Sequence, residues 1–217
     1  SAIPEQLRNI DRETVIMTYI RHPPRTKREL RVFIYAITGL WMVDRVLTKG
    51  HRSPMDYVWD LFSCEVVNAI GFAGRGNGKT RTNGILELCE LACKPGAQIM
   101  HYGAADEQAL NAITYLRADL GGSAALMDTV RGEPGIRDIH FKNGNYIKVR
   151  PLTQKQASGP HVPILAIDEI DQITRWADFQ QAMPIPQSLN GLKASRRFTS
   201  TRDLPAGPFQ RVLEDFG

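Results

Sequence analysis

The sequence predicts an α/β protein in which a mostly parallel sheet carries helices on both faces, with a helical extension at the N-terminus. Three observations carry this expectation. From residue 64 onward, apolar runs of strand length alternate with segments of helical periodicity; a glycine-rich loop joins one strand to the helix after it; and a later apolar run ends in two adjacent acids. Strands that alternate with helices are joined by crossovers, and crossovers give parallel pairing. The 217 residues, 42% of them hydrophobic, suffice for one substantial core.

The elements follow in order. Residues 1–29 are polar and interrupted by proline, and "RHPPRTKRELR" sets Arg21, Arg25, Lys27, Arg28 and Arg31 against the single acid Glu29, which reads as a solvated arm. From Glu29 to Lys49, Leu30, Phe33, Ile34, Ile37, Leu40, Trp41 and Val46 recur at helical spacing and predict a helix closed by Gly50. "PMDYVWDLF" predicts a short helix from Pro54. Residues 1–51 are expected to pack on a core spanning 52–217. In that core "CEVVNAIGFA" reads as a strand running into the glycine loop, and "TRTNGILELCELAC" as a helix stopped by "KPG". "AQIMHYGA" is the next strand, and "DEQALNAITYLRADL" a helix with Asp106 and Glu107 in its first turn, where the helix dipole favours acids. "IRDIHFKNGNYIKVR" predicts a hairpin turning at Asn143 and Gly144. "VPILAIDE" is a buried strand, a helix is expected near Thr174, and "RRFTSTR" supplies the last strand. No internal repeat or low-complexity segment interrupts the pattern.

A formal charge of +4 and a pI near 9.0 suit a polyanionic partner without identifying one. Cys64, Cys89 and Cys93 form neither an even disulfide set nor a paired CxxC pattern, so they read as reduced core thiols. No run reaches the roughly 18 uncharged apolar residues of a membrane span, and the N-terminus lacks a signal-peptide pattern. A soluble cytoplasmic protein is expected.

The chemistry concentrates in "FAGRGNGKT", residues 72–80. A strand, a glycine-rich turn and a helix bring backbone N–H groups together at a helix N-terminus, where the dipole favours phosphate. The phosphate-loop (Walker A) pattern G-x-x-x-x-G-K-[ST] is met at Gly78, Lys79 and Thr80, with Ala73 in place of its first glycine. Gly74, Gly76, Asn77 and Gly78 would form the cradle for the phosphates of ATP. Lys79 would reach the β- and γ-phosphates, and the Thr80 hydroxyl would ligate Mg²⁺. In "PILAIDEID", Asp168 and Glu169 fall at the C-terminal end of a buried strand, the edge at which open α/β sheets bind ligands. Asp168 would join the Mg²⁺ shell and Glu169 would activate the attacking water. If the "FTSTRD" strand lies beside the one bearing Asp168, Ser200 or Thr201 could sense the γ-phosphate. Tyr57 and Trp59 read as core residues first and as candidates to stack on adenine second.

With these motifs on the page, the chain resembles the ATPase domain of the large terminase subunit, the DNA-packaging motor of tailed bacteriophages. The resemblance rests on "GRGNGKT" with its arginine ahead of the lysine, on "SGPHVPILAIDEID", and on "FTSTR", which looks like the family's coupling motif; it covers roughly residues 52–204. It implies a P-loop NTPase fold of RecA-like type, ATP hydrolysis, and Arg75 near the triphosphate, where a guanidinium fork matches phosphate oxygens. It also implies double-stranded DNA as substrate, a portal protein and a small terminase subunit as partners, a homo-oligomeric ring on the capsid, and the host-cell cytoplasm as location. Members usually carry a C-terminal nuclease domain of ribonuclease H type. "LPAGPFQRVLEDFG" is too short for one, so the chain reads as an ATPase fragment without nuclease activity. An arginine from a neighbouring subunit could stabilise the transferring phosphoryl group, with Arg131, Arg137 and Arg150 as candidates. Lys193, Arg196, Arg197 and Arg202 read as a DNA-facing stripe or a solvated basic face. The alternative functions are a helicase-like P-loop ATPase and a nucleotide-binding module that no longer hydrolyses.

Overall fold

The computed structural model describes residues 3–216 apart from 75, 77, 154, 156, 158, 159 and 202–205. Local chemistry sets the first helices. Helix α1 (Arg12–Arg21) starts at Asp11, whose side chain accepts from Thr14 N, and α2 (Lys27–Thr38) starts with a capping box in which Thr26 and Glu29 satisfy each other's backbone N–H. Helix α3 (Pro54–Phe62) uses the same device with Ser53 and Asp56, and proline occupies its first turn. The core elements follow as β1 (Asn68–Phe72), α4 (Lys79–Cys93), β2 (Gln98–Gly103), α5 (Asp106–Gly121), α6 (Ala124–Thr129), β3 (Asp138–His140), β4 (Tyr146–Pro151), β5 (Ile164–Asp168), α7 (Trp176–Ala182), β6 (Ser195–Ser200) and α8 (Pro208–Phe216).

Among the described residues the strands form one sheet in the order β1-β6-β5-β2-β4-β3, parallel except for the β3–β4 hairpin. The last strand in sequence, β6, is inserted between β1 and β5, so that Phe72 pairs with Ser200 and Ile167 with Phe198. The ends of the strand before the glycine loop and of the strand bearing Asp168 therefore flank β6 at the sheet's C-terminal edge. One face is covered by α1–α6 through Phe33, Leu86, Leu116 and Ile147, and the other by α7 and α8 through Phe179, Phe198, Phe209 and Val212. Strand alternation divides the two sides: Ile164 joins the first cluster, Leu165 the second. Cys89 and Cys93 are free thiols buried in the first cluster, and Cys64 is a half-buried free thiol.

Helix α4 meets the sheet through a polar stripe. Asn83, Glu87 and Glu90 lie one turn apart, all buried, and face Thr199, His101 and Arg197 respectively. Arg197 grips Glu90 bidentately at 2.6 and 2.9 Å, and Lys94 adds a contact at 3.2 Å. Among the described residues no helix is long and apolar enough to cross a membrane.

Several expectations are corrected. The helix foreseen over 29–49 ends at Thr38, because Gly39 takes a left-handed φ of 73° that closes it. The polar arm contains α1, whose Ile16 is buried against α2 and its neighbours. The strand foreseen from Cys64 starts at Asn68; Cys64 itself has a φ of 61° in the turn after α3. The helix expected near Thr174, by contrast, is found there and begins at Trp176.

Candidate nucleotide-binding site

The glycine loop delivers the chain to α4 with the bend a phosphate cradle needs. Gly76 and Gly78 both have φ of 75°, a conformation without strain only for glycine, and Gly78 is the residue preceding the helix. Having no side chain, Gly78 leaves the first N–H groups of α4 uncapped and available to an anion. Gly74 is exposed just after β1. Arg75 and Asn77, both expected in the cradle, lie outside the described residues.

The remaining predicted residues converge. Thr80 Oγ1 donates to Asp168 Oδ2 at 2.5 Å, bringing the first turn of α4 onto the end of β5. Thr199 Oγ1 donates to the other carboxylate oxygen at 2.7 Å, and the Glu169 N–H donates to it at 2.9 Å. Asp168 is only 1% exposed, and these donors satisfy its charge. The strand breaks at Glu169, whose φ of 53° is unusual for a residue with a Cβ. The two adjacent acids thereby take separate partners. Glu169 Oε1 lies 3.6 Å from Lys79 Nζ, while its Oε2 accepts from Thr201 Oγ1 at 2.9 Å.

Ser200 and Thr201 divide their work. Thr201 touches Glu169, whereas Ser200 Oγ donates to the Thr201 carbonyl at 2.7 Å and accepts from Asp171 N at 3.0 Å. Asp171 in turn accepts from Phe209 N at 3.0 Å, at the start of α8. A row of contacts thus runs from the acidic strand end to the C-terminal helix.

Two cavities meet at Lys79. One, of about 320 Å³, is walled by Gly76, Gly78, Lys79, Thr80, Glu169 and Thr201. The other, of about 200 Å³, lies beside the loop against Tyr57, Phe72, Ala73, Lys79, Asn83 and Thr199. Trp59 packs on the core instead. Sequence reasoning missed Thr199 and Asn83, whose roles depend on the insertion of β6 between β1 and β5, and the sequence carries no local signal for that order.

Two basic groupings look different in space. Arg197 is 2% exposed and committed to Glu90, so it belongs to neither a DNA-facing stripe nor a solvated face; β-alternation turns it under α4. Arg196 is half-buried and donates to the Met183 carbonyl, Lys193 is exposed, and Arg202 lies outside the described residues. Arg137 grips Asp106 at 2.7 Å through both nitrogens, and Arg150 is engaged by Asp138; the Arg131 guanidinium has no partner among the described residues.

A parallel sheet with a glycine loop between β1 and α4, and an acidic strand end facing that loop, is a P-loop fold. The solved structures agree. The HK97 bacteriophage large terminase superposes over 82% of this chain and 40% of its own, with a TM-score of 0.62 and 15% identity. The Thermus phage P74-26 large terminase ATPase domain, in an arginine-to-alanine variant, superposes over 66% of this chain and 62% of its own, with a TM-score of 0.51 and 13% identity. The likeness is one of fold, and the chain spans about two fifths of the HK97 protein. No protein-family model and no curated protein matches the sequence.

Proposed function

We propose that the chain is the ATPase motor domain of a viral DNA-packaging terminase large subunit, hydrolysing Mg-ATP to drive double-stranded DNA into a procapsid. The observation that carries the reading is the meeting of Lys79, Thr80, Asp168 and Glu169 at one sheet edge, in a fold whose solved neighbours are large terminases. The α4 N-terminus and Lys79 hold the β- and γ-phosphates, the family resemblance assigns Arg75 to the triphosphate, and the base takes the cavity next to Tyr57. Thr80 and Asp168 form an all-oxygen pair of the kind that holds Mg²⁺ together with substrate phosphates, and they are its ligands in this reading. When bound, the ion neutralises charge that builds on the phosphate oxygens.

Glu169 orients the attacking water and takes its proton. In the structure its carboxylate faces Lys79 at 3.6 Å. Phosphates that draw the lysine toward themselves leave one Glu169 oxygen free for water. Loss of the γ-phosphate reverses this, and Thr201, bonded to the same carboxylate, passes the change to the end of β6. Ser200, through Asp171, extends it to α8. The partners in this reading are double-stranded DNA, a portal protein, a small terminase subunit and further copies of the chain in a ring, with residues 52–217 as the ATPase core and residues 1–51 packed on it.

Phosphate release from ATP, followed with and without Mg²⁺ and with and without linear double-stranded DNA, tests the proposal. Mg²⁺-dependent release that DNA stimulates is the expected result. Release stimulated by single-stranded but not double-stranded nucleic acid would contradict the packaging assignment.

A further inference from the structure

Tyr57, Asn83 and Thr199 bear none of the reacting atoms, yet they join the cavity beside the loop to the acid at the end of β5. Hydrogen-bond direction along this row follows from its last member. A carboxylate only accepts, so Thr199 donates its proton to Asp168 Oδ1 at 2.7 Å. The Thr199 oxygen is left to accept, and Asn83 Nδ2 donates to it at 3.1 Å. With its amide nitrogen turned to Thr199, Asn83 offers its carbonyl oxygen to Tyr57, whose hydroxyl donates at 3.0 Å. Asn83 and Thr199 are each 2% exposed, so the link between them is buried. Burial holds the Tyr57 phenol well above its ordinary value, and it keeps its proton. That one proton is committed inward. Tyr57, Asn83 and Thr199 all line the cavity of about 200 Å³, and a group brought from there to the Tyr57 oxygen would meet only its lone pairs.

We propose that Tyr57, Asn83 and Thr199 form a one-way hydrogen-bond relay that positions Asp168 and favours, in the cavity, a ring that presents a hydrogen-bond donor, such as an amino-substituted purine. The proposal rests on the Mg-ATP reading above. A donor set against the Tyr57 oxygen polarises its O–H bond, and each following link strengthens in turn, because hydrogen bonds in a row are cooperative and the buried setting magnifies them. At the far end, the carboxylate is held with Oδ2 toward Thr80, so less ordering remains when a cation binds. A ring with only an acceptor at that place sets lone pair against lone pair and leaves the relay unreinforced. Tyr57, Asn83 and Thr199 are positioning residues, since none of them bears the reacting atoms.

The test is calorimetric titration of Mg²⁺ into the chain saturated with the β,γ-imido analogue of ATP, or with that of purine riboside triphosphate, which lacks the 6-amino group. Mg²⁺ should bind the ATP-analogue complex about five-fold or more tightly, the lower end of ordinary coupling between two ligands. Tyr57→Phe, which removes only the hydroxyl, should abolish the difference. Thr199→Val should weaken Mg²⁺ binding about ten-fold with either nucleotide, as loss of a hydrogen bond to a ligating carboxylate does. Melting curves identify any variant that fails to fold, and Tyr57→Phe and Thr199→Val test the relay from opposite ends. A difference that survives Tyr57→Phe, or none in the wild type, overturns the relay while leaving Mg-nucleotide binding intact. If neither nucleotide binds, the phosphate-loop reading falls and the relay with it.

Discussion

Lys79 and Glu169 are adjacent in space, and the proposed function gives them separable tasks. Lys79→Ala removes the side chain that both cavities share, and nucleotide affinity should fall by at least ten-fold in a fluorescence titration. Unchanged affinity would exclude Lys79 as the phosphate ligand. Gly71→Ala probes the site from behind: a Cβ there would lie 2.7 Å from Thr199 Cγ2, pushing the buried Thr199 off Asp168, so Mg²⁺ should bind the nucleotide complex more weakly and the overpacking should cost about 1–3 kcal/mol in unfolding free energy. At this scale the sequence was legible where chemistry is local. Gly78, Lys79 and Thr80 form a contiguous motif, and Asp168 and Glu169 end an apolar run. Asn83 and Thr199 were illegible because their contact spans 116 positions of chain and exists only once β6 lies beside β5.

Among the elements, α4 carries the largest unpaid risk, since it docks on the sheet through buried charges. Burial alone would raise the Glu90 carboxyl, but Arg197 and Lys94 outweigh it and hold it below its ordinary value. Arg197→Met strips Glu90 of its bidentate partner and leaves the buried carboxylate to Lys94 alone, so the loss should approach the roughly 3–5 kcal/mol of a broken buried pair in unfolding free energy. The double variant with Glu90→Leu should recover most of that loss in urea denaturation, because neither charge is then buried; a double variant as unstable as Arg197→Met would mean that packing, not charge, is what Arg197 supplies. Sequence periodicity located α4 and α5 to within a residue because their ends are marked by Gly78 and the acids of the first turn. It failed for α2, where Gly39 closes the helix while apolar residues continue, and for α1, where Ile16 is the only fully buried side chain of the helix. Apolar spacing reports what a segment could bury, whereas a left-handed glycine decides where it stops.

For the whole molecule, the same buried pairs set the pH range of stability. Glu90, lowered in the folded state, contributes stability that is present above its ordinary value of 4.5 and is lost as pH falls through its folded value. His101 has the opposite sign. Burial would lower it, but Glu87 at 2.7 Å outweighs burial and raises it, so its contribution is complete below 6.5 and is lost as pH rises through the raised value. Thermal midpoints should therefore decline on both sides of a mildly acidic maximum, and His101→Gln should flatten the alkaline limb; an unchanged limb would remove His101 from the account. The fold class and the parallel sheet were legible from alternation, while the strand order was not, since pairing partners leave no mark on local sequence. The proposed motor requires Mg-ATP hydrolysis that depends on Glu169. The most direct measurement compares ATP affinity and phosphate release in the wild type and Glu169→Gln, side by side with Mg²⁺ present. Binding within about two-fold of wild type, with turnover lowered by about 10²-fold or more, is the predicted result; turnover that survives the substitution would contradict it.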